Sequence, residues 1–431
     1  MFRFAPSPTG DMHIGNLRIA LFNYIVSKQK NDRLIIRIED TDTERNIDGK
    51  DRELLEILNK FRIEFSDVLY QSHNIKFHQQ FATTLLQTGR AFNCFCTSEE
   101  IGKKREEAKK NKIAFRYDGT CEKMTDDEVL NMEKPSVIRI KKPDSDVKVK
   151  DLIKGEITFK PADIDNFILL RQDKRPTYNF ACAVDDMLSD ISTIIRGEDH
   201  LSNTPKQIAV QHAIGYGRNI DYAHLPIILN DDGKKMSKRD DVSSVKWLFE
   251  QGFIPEAITN YLVLIGNKTP KEIFNFDEVL KWFDIDKISK SPAKFDMGKL
   301  RFINREHLAL LDSEELSKRI GYFDKTVGEI AKVYLEEAST LNELKLKMDN
   351  IFKEKKTSEE FGDGLKTISE IIRSSDYIED FGVFKKYLMK ESGLKGKNFF
   401  KPLRIALTGS ESGPELSKLY PLLKIYLKEI V

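Results

Sequence analysis

The residues of this chain best suited to handling phosphate lie in two short segments. One is Phe4-Ala-Pro-Ser-Pro-Thr-Gly-Asp-Met-His-Ile-Gly-Asn16, and the other is Gly233-Lys-Lys-Met-Ser-Lys-Arg-Asp240. The first follows the strand-like Phe2-Arg-Phe4 and precedes a helical pattern, so His13 is expected at a helix N-terminus. Unpaired backbone N–H groups and the helix dipole favour anions there, and Gly15 lets a flat ring or ribose approach the main chain. An imidazole can donate to phosphate oxygens as charge develops on them. Lys235 and Lys238 follow the turn Asp231-Asp-Gly233, on a loop whose amines can gather around a triphosphate and stabilise a departing pyrophosphate. Removing one such donor typically costs about 2.7–4 kcal/mol of transition-state stabilisation. Taken singly, the first segment is a capped helix and the second a solvated basic turn. Taken together, in this order, they describe a site that seats a nucleoside triphosphate at one end and clamps its phosphates from the other.

Other chemistry-bearing residues are less decisive. Arg37-Ile-Glu-Asp-Thr-Asp42 reads as a strand entering an acidic turn. Cys94-x-Cys96 followed by Cys121 offers three of the four ligands that tetrahedral zinc takes, and the residue two beyond Cys121 is Lys123 rather than a histidine. The residues alone leave a structural zinc site and a metal-free thiol cluster both open. Cys182, in the apolar stretch after Phe180 and Ala181, reads as core, and the charged run from Lys103 to Lys112 reads as a solvated helix face.

Positioning these groups calls for a sheet covered by helices. Leu17, Ala20, Leu21, Tyr24 and Ile25 recur at helical spacing between Asn16 and Lys30, and Arg33-Leu-Ile-Ile-Arg-Ile38 is a compact apolar strand. Ser192–Ile195 and Leu225–Leu229 read as further buried strands, with a helix from Thr204 to Ile214 between them. This alternation predicts an open, mostly parallel sheet that binds ligands beyond the carboxyl ends of its strands. The stretch from about 70 to 185 has a different texture, with all four cysteines and the strand candidates Val137–Ile140 and Phe167–Arg171, and reads as an insertion. After 240 the pattern is almost wholly helical, with helices expected over Val242–Gln251, Pro255–Ile265, Phe276–Phe283, Thr326–Lys355 and Ser358–Arg373. At 431 residues the chain exceeds a single core. With 32% charged and 40% hydrophobic residues it is neither a disordered nor a membrane-spanning chain. The absence of a basic-plus-apolar leader and of a disulfide framework predicts a cytoplasmic protein. A net charge of +1 decides nothing about nucleic acid, because a polyanion responds to local patches.

His13-Ile-Gly-Asn16 and Lys235-Met-Ser-Lys-Arg239 resemble the two signature motifs of the class I aminoacyl-tRNA synthetases. Within that class, several segments look like the bacterial glutamyl-tRNA synthetase pattern. They are Arg3-Phe-Ala-Pro-Ser-Pro-Thr-Gly10, Arg37-Ile-Glu-Asp-Thr-Asp42, Pro176-Thr-Tyr-Asn-Phe-Ala181, Ile195-Arg-Gly-Glu-Asp-His200, Ser291-Pro-Ala-Lys-Phe-Asp296 and Gly396-Lys-Asn-Phe-Phe-Lys-Pro-Leu-Arg-Ile-Ala-Leu-Thr-Gly409. Asn16 departs from the histidine that usually ends the first motif. The resemblance implies an α/β chain with a Rossmann-like parallel-sheet catalytic domain in two halves, 1–70 and 186–240. An α+β acceptor-binding domain is inserted at 71–185, a helical stem-contact domain follows at 241–312, and an all-α anticodon-binding region closes the chain at 313–431.

The implied activity is ATP-dependent attachment of glutamate to the 3′ end of tRNA(Glu) through a glutamyl-adenylate. Mg²⁺ rides on the phosphates, and AMP and pyrophosphate are released. Non-discriminating action, or action directed to tRNA(Gln), is left open by the motifs. The resemblance assigns glutamate contacts to Arg3, Ala5, Ser7, Glu39, Tyr178 and Arg196, with Arg3 reading the side-chain carboxylate. It assigns ATP contacts to His13, Gly15, Asp199, His200, Leu229, Lys235 and Lys238, of which His13, Lys235 and Lys238 are the catalytic candidates. Relatives that complete the Cys94, Cys96, Cys121 set with a tyrosine four residues earlier make Tyr117 the fourth candidate zinc ligand. A monomer without membrane association is expected. The rivals are a glutaminyl-tRNA synthetase, whose anticodon region is β-barrel; a short tRNA-modifying glutamyl transferase, which lacks the tail; a small-molecule nucleotidyltransferase; and an RNA-binding paralogue without activity.

Overall fold

The apolar runs at Phe2–Phe4 and Leu34–Ile38 become adjacent parallel strands β1 and β2, joined by helix α1 (Ile14–Gln29). Every residue of both strands is buried, as strands covered on both faces must be. Helix α1 is buried nearly all round for the same reason. It packs on the sheet, Asn23 donating to the carbonyl of Ile195, while Phe22 and Tyr24 on its two flanks meet Phe283 and Phe276 at ring separations of 4.9 and 5.2 Å.

In this computed structural model the described residues are 1–236, 241–355 and 359–431. They divide into two compact units, the first built from 1–245, 262–270 and 276–295 and the second from 246–261, 271–275 and 296–431. In the first unit the chain continues through α2 (Lys50–Lys60), β3 (Asp67–Tyr70), α3 (Ile75–Gln87), β4 (Ala91–Cys94), α4 (Ser98–Lys110), α5 (Asp126–Leu130) and β5 (Val137–Ile140). Then come β6 (Val147–Asp151), β7 (Gly155–Phe159), β8 (Ile168–Leu170), α6 (Tyr178–Leu188), β9 (Thr193–Gly197), α7 (Thr204–Ala213) and β10 (Asp221–Leu225).

The main sheet has the order β3-β2-β1-β9-β10-β6-β7 and is parallel except for the β6–β7 hairpin. Chain order reverses direction between β1 and β9, and the crevice at their carboxyl ends is where such sheets take ligands. The hairpin was expected within the 71–185 insertion, yet it extends the main sheet. Its inward Val147, Val149 and Asp151 alternate with exposed lysines, the period of a strand with one covered face. The rest of the stretch forms an antiparallel sheet, β4-β5-β8, capped by α4.

The continuous strand expected over Leu225–Leu229 is broken in two. Pro226 has no N–H for a ladder, and the N–H of Ile227 donates instead to Glu198 Oε1 at 3.0 Å. A short strand β11 (Ile228–Leu229) then pairs with β12 (Ala293–Lys294), leading the chain into the lysine loop.

The second unit is helical, with no strand among its described residues. The long helix expected over Thr326–Lys355 is two, Lys325–Val333 and Leu341–Phe352, separated by a 3₁₀ turn at Tyr334–Glu336. Thr340 caps the second by accepting from the N–H of Glu343, an interaction that favours a fresh start over a continued helix. The helix expected from Ser358 begins outside the described residues and runs over Gly362–Ser374. Among the described residues no helix is long and apolar enough to cross a membrane.

Candidate active site

Strands β1, β2 and β9 lie side by side, so Arg3, Glu39 and Arg196 reach one cavity of about 220 Å³ at their carboxyl ends. Ala5, Ser7 and Tyr178, the first residue of α6, complete the expected set in its wall. The charges are held from behind. Arg3 Nε donates to Asp186 Oδ1 at 3.2 Å, and Arg37 Nη1 donates to the same oxygen at 2.5 Å. Arg37 Nη2 lies 3.3 Å from Glu39 Oε1, which also accepts from the Cys182 thiol at 3.0 Å. Burial alone would push the Asp186 carboxyl up, but Arg37 and Arg3 outweigh it and hold it below the ordinary carboxylate value. Burial and the Glu39 charge push the Cys182 thiol far up, so this cysteine stays protonated and donates.

Arg196 is fixed at three points. Nη1 donates to Gln207 at 2.8 Å, Nη2 to Thr204 at 2.7 Å and Nε to His224 Nε2 at 3.1 Å. The last bond requires an unprotonated Nε2, so the His224 proton sits on Nδ1, which lies 2.5 Å from Asp151 Oδ2. Burial, opposed by Asp151 and reinforced by Arg196, keeps His224 below its ordinary pKa. Each guanidinium therefore keeps donors for a ligand while its orientation is set by buried partners.

A second cavity, of about 100 Å³, shares His13, Asn16, Ile19, Gly197 and His200 with the first. His13 caps α1, and its Nδ1 accepts from the N–H of Gly15 at 3.0 Å, which places the ring proton on Nε2. Gly15, Asp199 and Lys235 also line this cavity. Lys235 Nζ lies 2.8 Å from Asp199 Oδ2, with both side chains about half exposed. An ion pair so exposed is worth only about 0–1 kcal/mol, and a triphosphate can take the lysine from it. Burial, with help from Arg196, lowers the His200 pKa to about 4, so the imidazole beside the two arginines is neutral at physiological pH. Leu229 is not in the wall. It sits on β11, bridged to Lys235, and supports the loop from below. Lys238 lies outside the described residues.

Beside the small sheet β4-β5-β8 the sulfurs of Cys94, Cys96 and Cys121 lie within 4.8 Å of one another. Cys96 and Cys121 are 3.6 Å apart, and the Tyr117 hydroxyl is 3.4 Å from Cys94 Sγ and 3.5 Å from Cys96 Sγ. A tetrahedron with Zn–S of about 2.3 Å and Zn–O of about 2.0 Å has edges of roughly 3.8 and 3.5 Å, which the three separations above match.

The first 302 residues match the family model of the class I tRNA synthetases for E and Q, catalytic domain, and residues 314–424 match an anticodon binding domain. Over all 431 residues the chain is 61% identical to glutamate--tRNA ligase 2 of Sulfurimonas denitrificans and 60% identical to glutamate--tRNA ligase 1 of a Nitratiruptor species, covering 100% of both. The chain belongs to the glutamate--tRNA ligase family. A solved glutamate tRNA ligase from Elizabethkingia meningosepticum, in complex with its amino acid, superposes with a TM-score of 0.84 at 26% identity, covering 99% of this chain and 97% of that one. The family fold expected from the motifs is thus the fold observed, a class I catalytic domain followed by a helical anticodon-binding domain.

Several supporting residues escaped the sequence reading. Asp186 carries a local signal, since Tyr178, Cys182 and Asp186 recur every four residues and so share one face of α6. His224 and Asp151 carry none, because their contact joins strands distant in sequence.

Two outcomes follow. An added Cβ at Gly15 would lie 2.8 Å from His13 Cε1, so Gly15→Ala should displace the imidazole. We expect glutamate-dependent ATP–pyrophosphate exchange to fall at least about 100-fold with little change in melting temperature. Retained exchange would separate His13 from the chemistry. Because His200 and His224 have folded pKa values below the unfolded 6.5, the unfolded chain binds more protons between the two values. The contribution of His200 is full above about pH 6.5 and is lost as pH falls toward about 4, and that of His224 is lost in the same direction. Calorimetry should show a lower melting temperature at pH 5.5 than at pH 7.5, and His200→Asn should shrink the difference.

Proposed function

We propose that the chain joins glutamate to the 3′ end of tRNA in two steps, using ATP. The supporting observation is the wall shared by the two cavities. A dicarboxylate held by Arg3 and Arg196 lies on one side of His13 and Gly197, and a triphosphate held by Gly15 and Lys235 lies on the other. In the first step the α-carboxylate oxygen of glutamate attacks the α-phosphorus of ATP, and pyrophosphate leaves. In the second a ribose hydroxyl of tRNA attacks the activated carbonyl, and AMP leaves. Arg3 pairs with the side-chain carboxylate, Glu39 takes the α-ammonium, and Arg196 helps hold the amino acid. His13 Nε2 donates to phosphate, while Lys235 and Lys238 stabilise the charge moving onto pyrophosphate. Mg²⁺ bound to the phosphates neutralises part of that charge. Glutamine offers Arg3 a neutral amide in place of a carboxylate, leaving a buried charge poorly compensated at a cost of a few kcal/mol. Aspartate is one methylene too short to reach the same arginine.

The residue ranges carry the roles assigned by resemblance, with 71–185 handling the acceptor end, 241–312 the stem and 313–431 the anticodon. The helical second unit disfavours a glutaminyl enzyme with a β-barrel tail. The four free cysteines suit a reducing cytoplasm, and no second subunit is required by the site. The fit at Cys94, Cys96, Tyr117 and Cys121 supports one structural zinc ion, which would tie α4 to β4.

Charging purified tRNA(Glu) and tRNA(Gln) separately with labelled glutamate tests the reading. We expect tRNA(Glu), tRNA(Gln) or both to accept glutamate, and failure on both would overturn the function. The relatives above are numbered 1 and 2, which makes the comparison of the two tRNAs informative. Protein purified without chelator should carry about one equivalent of zinc by elemental analysis, and less than about 0.2 would remove the metal.

A further inference from the structure

The apolar run Leu225–Leu229 breaks at one peptide unit, and both polar ends of that unit are held by charged side chains. The carbonyl of Pro226 accepts from Arg18 Nη1 at 3.3 Å, and the N–H of Ile227 donates to Glu198 Oε1 at 3.0 Å. Arg18, on α1, is only 2% exposed. Its Nη2 donates to the carbonyl of Ile265 at 3.2 Å, its guanidinium lies 5.1 Å from the Phe22 ring centroid, and its Nε has no hydrogen-bond partner. Among the described residues no carboxylate pairs with it, and burial lowers its pKa to about 10. Glu198 is held in turn. Its Oε2 lies 2.5 Å from the Nζ of Lys154, in the turn of the β6–β7 hairpin, and that amine also donates to the carbonyl of Lys290 at 2.9 Å.

Burying a guanidinium with only carbonyls as partners is unfavourable, and an apolar side chain would fill the same space without that penalty. What the charge supplies is a strong and directed bond. Hydrogen bonds to ionised groups are about twice as strong as neutral ones, and a fork can hold two carbonyls at once. The peptide so held belongs to the nucleotide cavity. Arg18, Pro226, Ile227 and Ile228 line the cavity of His13, Gly15 and Lys235, whereas Glu198 lies between the wall residues Gly197 and Asp199 and lines neither cavity. Beyond this peptide β11 pairs with β12 and Leu229 bridges Lys235, so its direction sets the root of the lysine loop. The glutamate side does not depend on it, since Arg196 is anchored separately by Gln207, Thr204 and His224.

We propose that Arg18 and Glu198 are positioning residues for ATP, clamping the Pro226–Ile227 peptide from its two ends so that the cavity wall and the root of the lysine loop keep one orientation. The proposal rests on the synthetase reading and adds to it two residues that set ATP affinity without setting glutamate affinity. Lys154 backs the clamp by holding Glu198.

Glutamate-dependent ATP–pyrophosphate exchange with total tRNA present, titrated in ATP and separately in glutamate, tests it. Glu198→Ala should raise KM for ATP about tenfold and leave KM for glutamate within about twofold of wild type. Glu198→Gln, whose amide oxygen still accepts from the N–H of Ile227, should recover most of that loss. Arg18→Lys keeps the charge but has one ammonium where the fork spans two carbonyls, and it should repeat the Glu198→Ala pattern. An unchanged KM for ATP in Glu198→Ala and Arg18→Lys, equal rises for both substrates, or no recovery in Glu198→Gln would overturn the clamp and leave the synthetase reading in place. Wild-type protein without exchange, even with total tRNA, would overturn that reading and the clamp with it.

Discussion

One buried carboxylate oxygen organises the amino-acid end of the site. Asp186 Oδ1 accepts from both Arg3 and Arg37, and Arg37 in turn holds Glu39. Burying a charge costs several kcal/mol, and removing one member of such a buried group costs about 3–5 kcal/mol because its partners are left uncompensated. The cluster persists because its members meet at strand ends and on one helix face, where the backbone leaves them little freedom. Its consequence is directional. Arg3 is held by Nε alone, and its fork is left for a carboxylate, while Arg37 is consumed in holding the rest.

The phosphate end follows a different logic. The lysine side chain described there is half exposed and pairs with an equally exposed Asp199. Such a pair exchanges readily, whereas the arginines across the wall are locked by Asp186, Gln207, Thr204 and His224. Under the proposed reading, a rigid pocket for the amino acid and an exchangeable grip on the phosphates suit a reaction in which pyrophosphate must leave and the activated acid must stay. His13 belongs to both ends. Its Nδ1 accepts from the N–H of Gly15, which fixes the orientation of the ring.

Sheet β4-β5-β8 has three strands, and Ala91, Ile138, Ile140, Leu169 and Leu170 share a core with Leu85, Phe180 and Val184. The cluster of Cys94, Cys96, Cys121 and Tyr117 packs with Phe92 and Ile101 at its edge, and Arg139 covers the tyrosine ring. Tyr117 thus belongs both to this apolar cluster and, through its hydroxyl, to the thiol group.

Chemistry that is local in the chain was legible from the residues. The β1–α1–β2 unit, His13 before Gly15, the lysine loop and the strand ends bearing Arg3 and Glu39 each lie within a few residues, where periodicity and turn chemistry act. Arg196 was legible by its motif, but its three anchors were not, since Gln207 and Thr204 come from a helix and His224 from a neighbouring strand. The split at Pro226 was misread because an apolar run conceals the loss of one N–H. The β6–β7 hairpin, unrecognised in the sequence, fell inside the expected 71–185 insertion, because a change of composition does not show which sheet a strand joins. By itself the sequence determined the chemistry on offer: phosphate donors, carboxylate-reading arginines and three thiols. Only the tertiary structure decided which of these groups share a wall, which are held by buried partners and how near the Tyr117 hydroxyl, already a candidate by resemblance, comes to the thiols. Those outcomes depend on contacts between segments far apart in the chain, whose geometry no local pattern encodes.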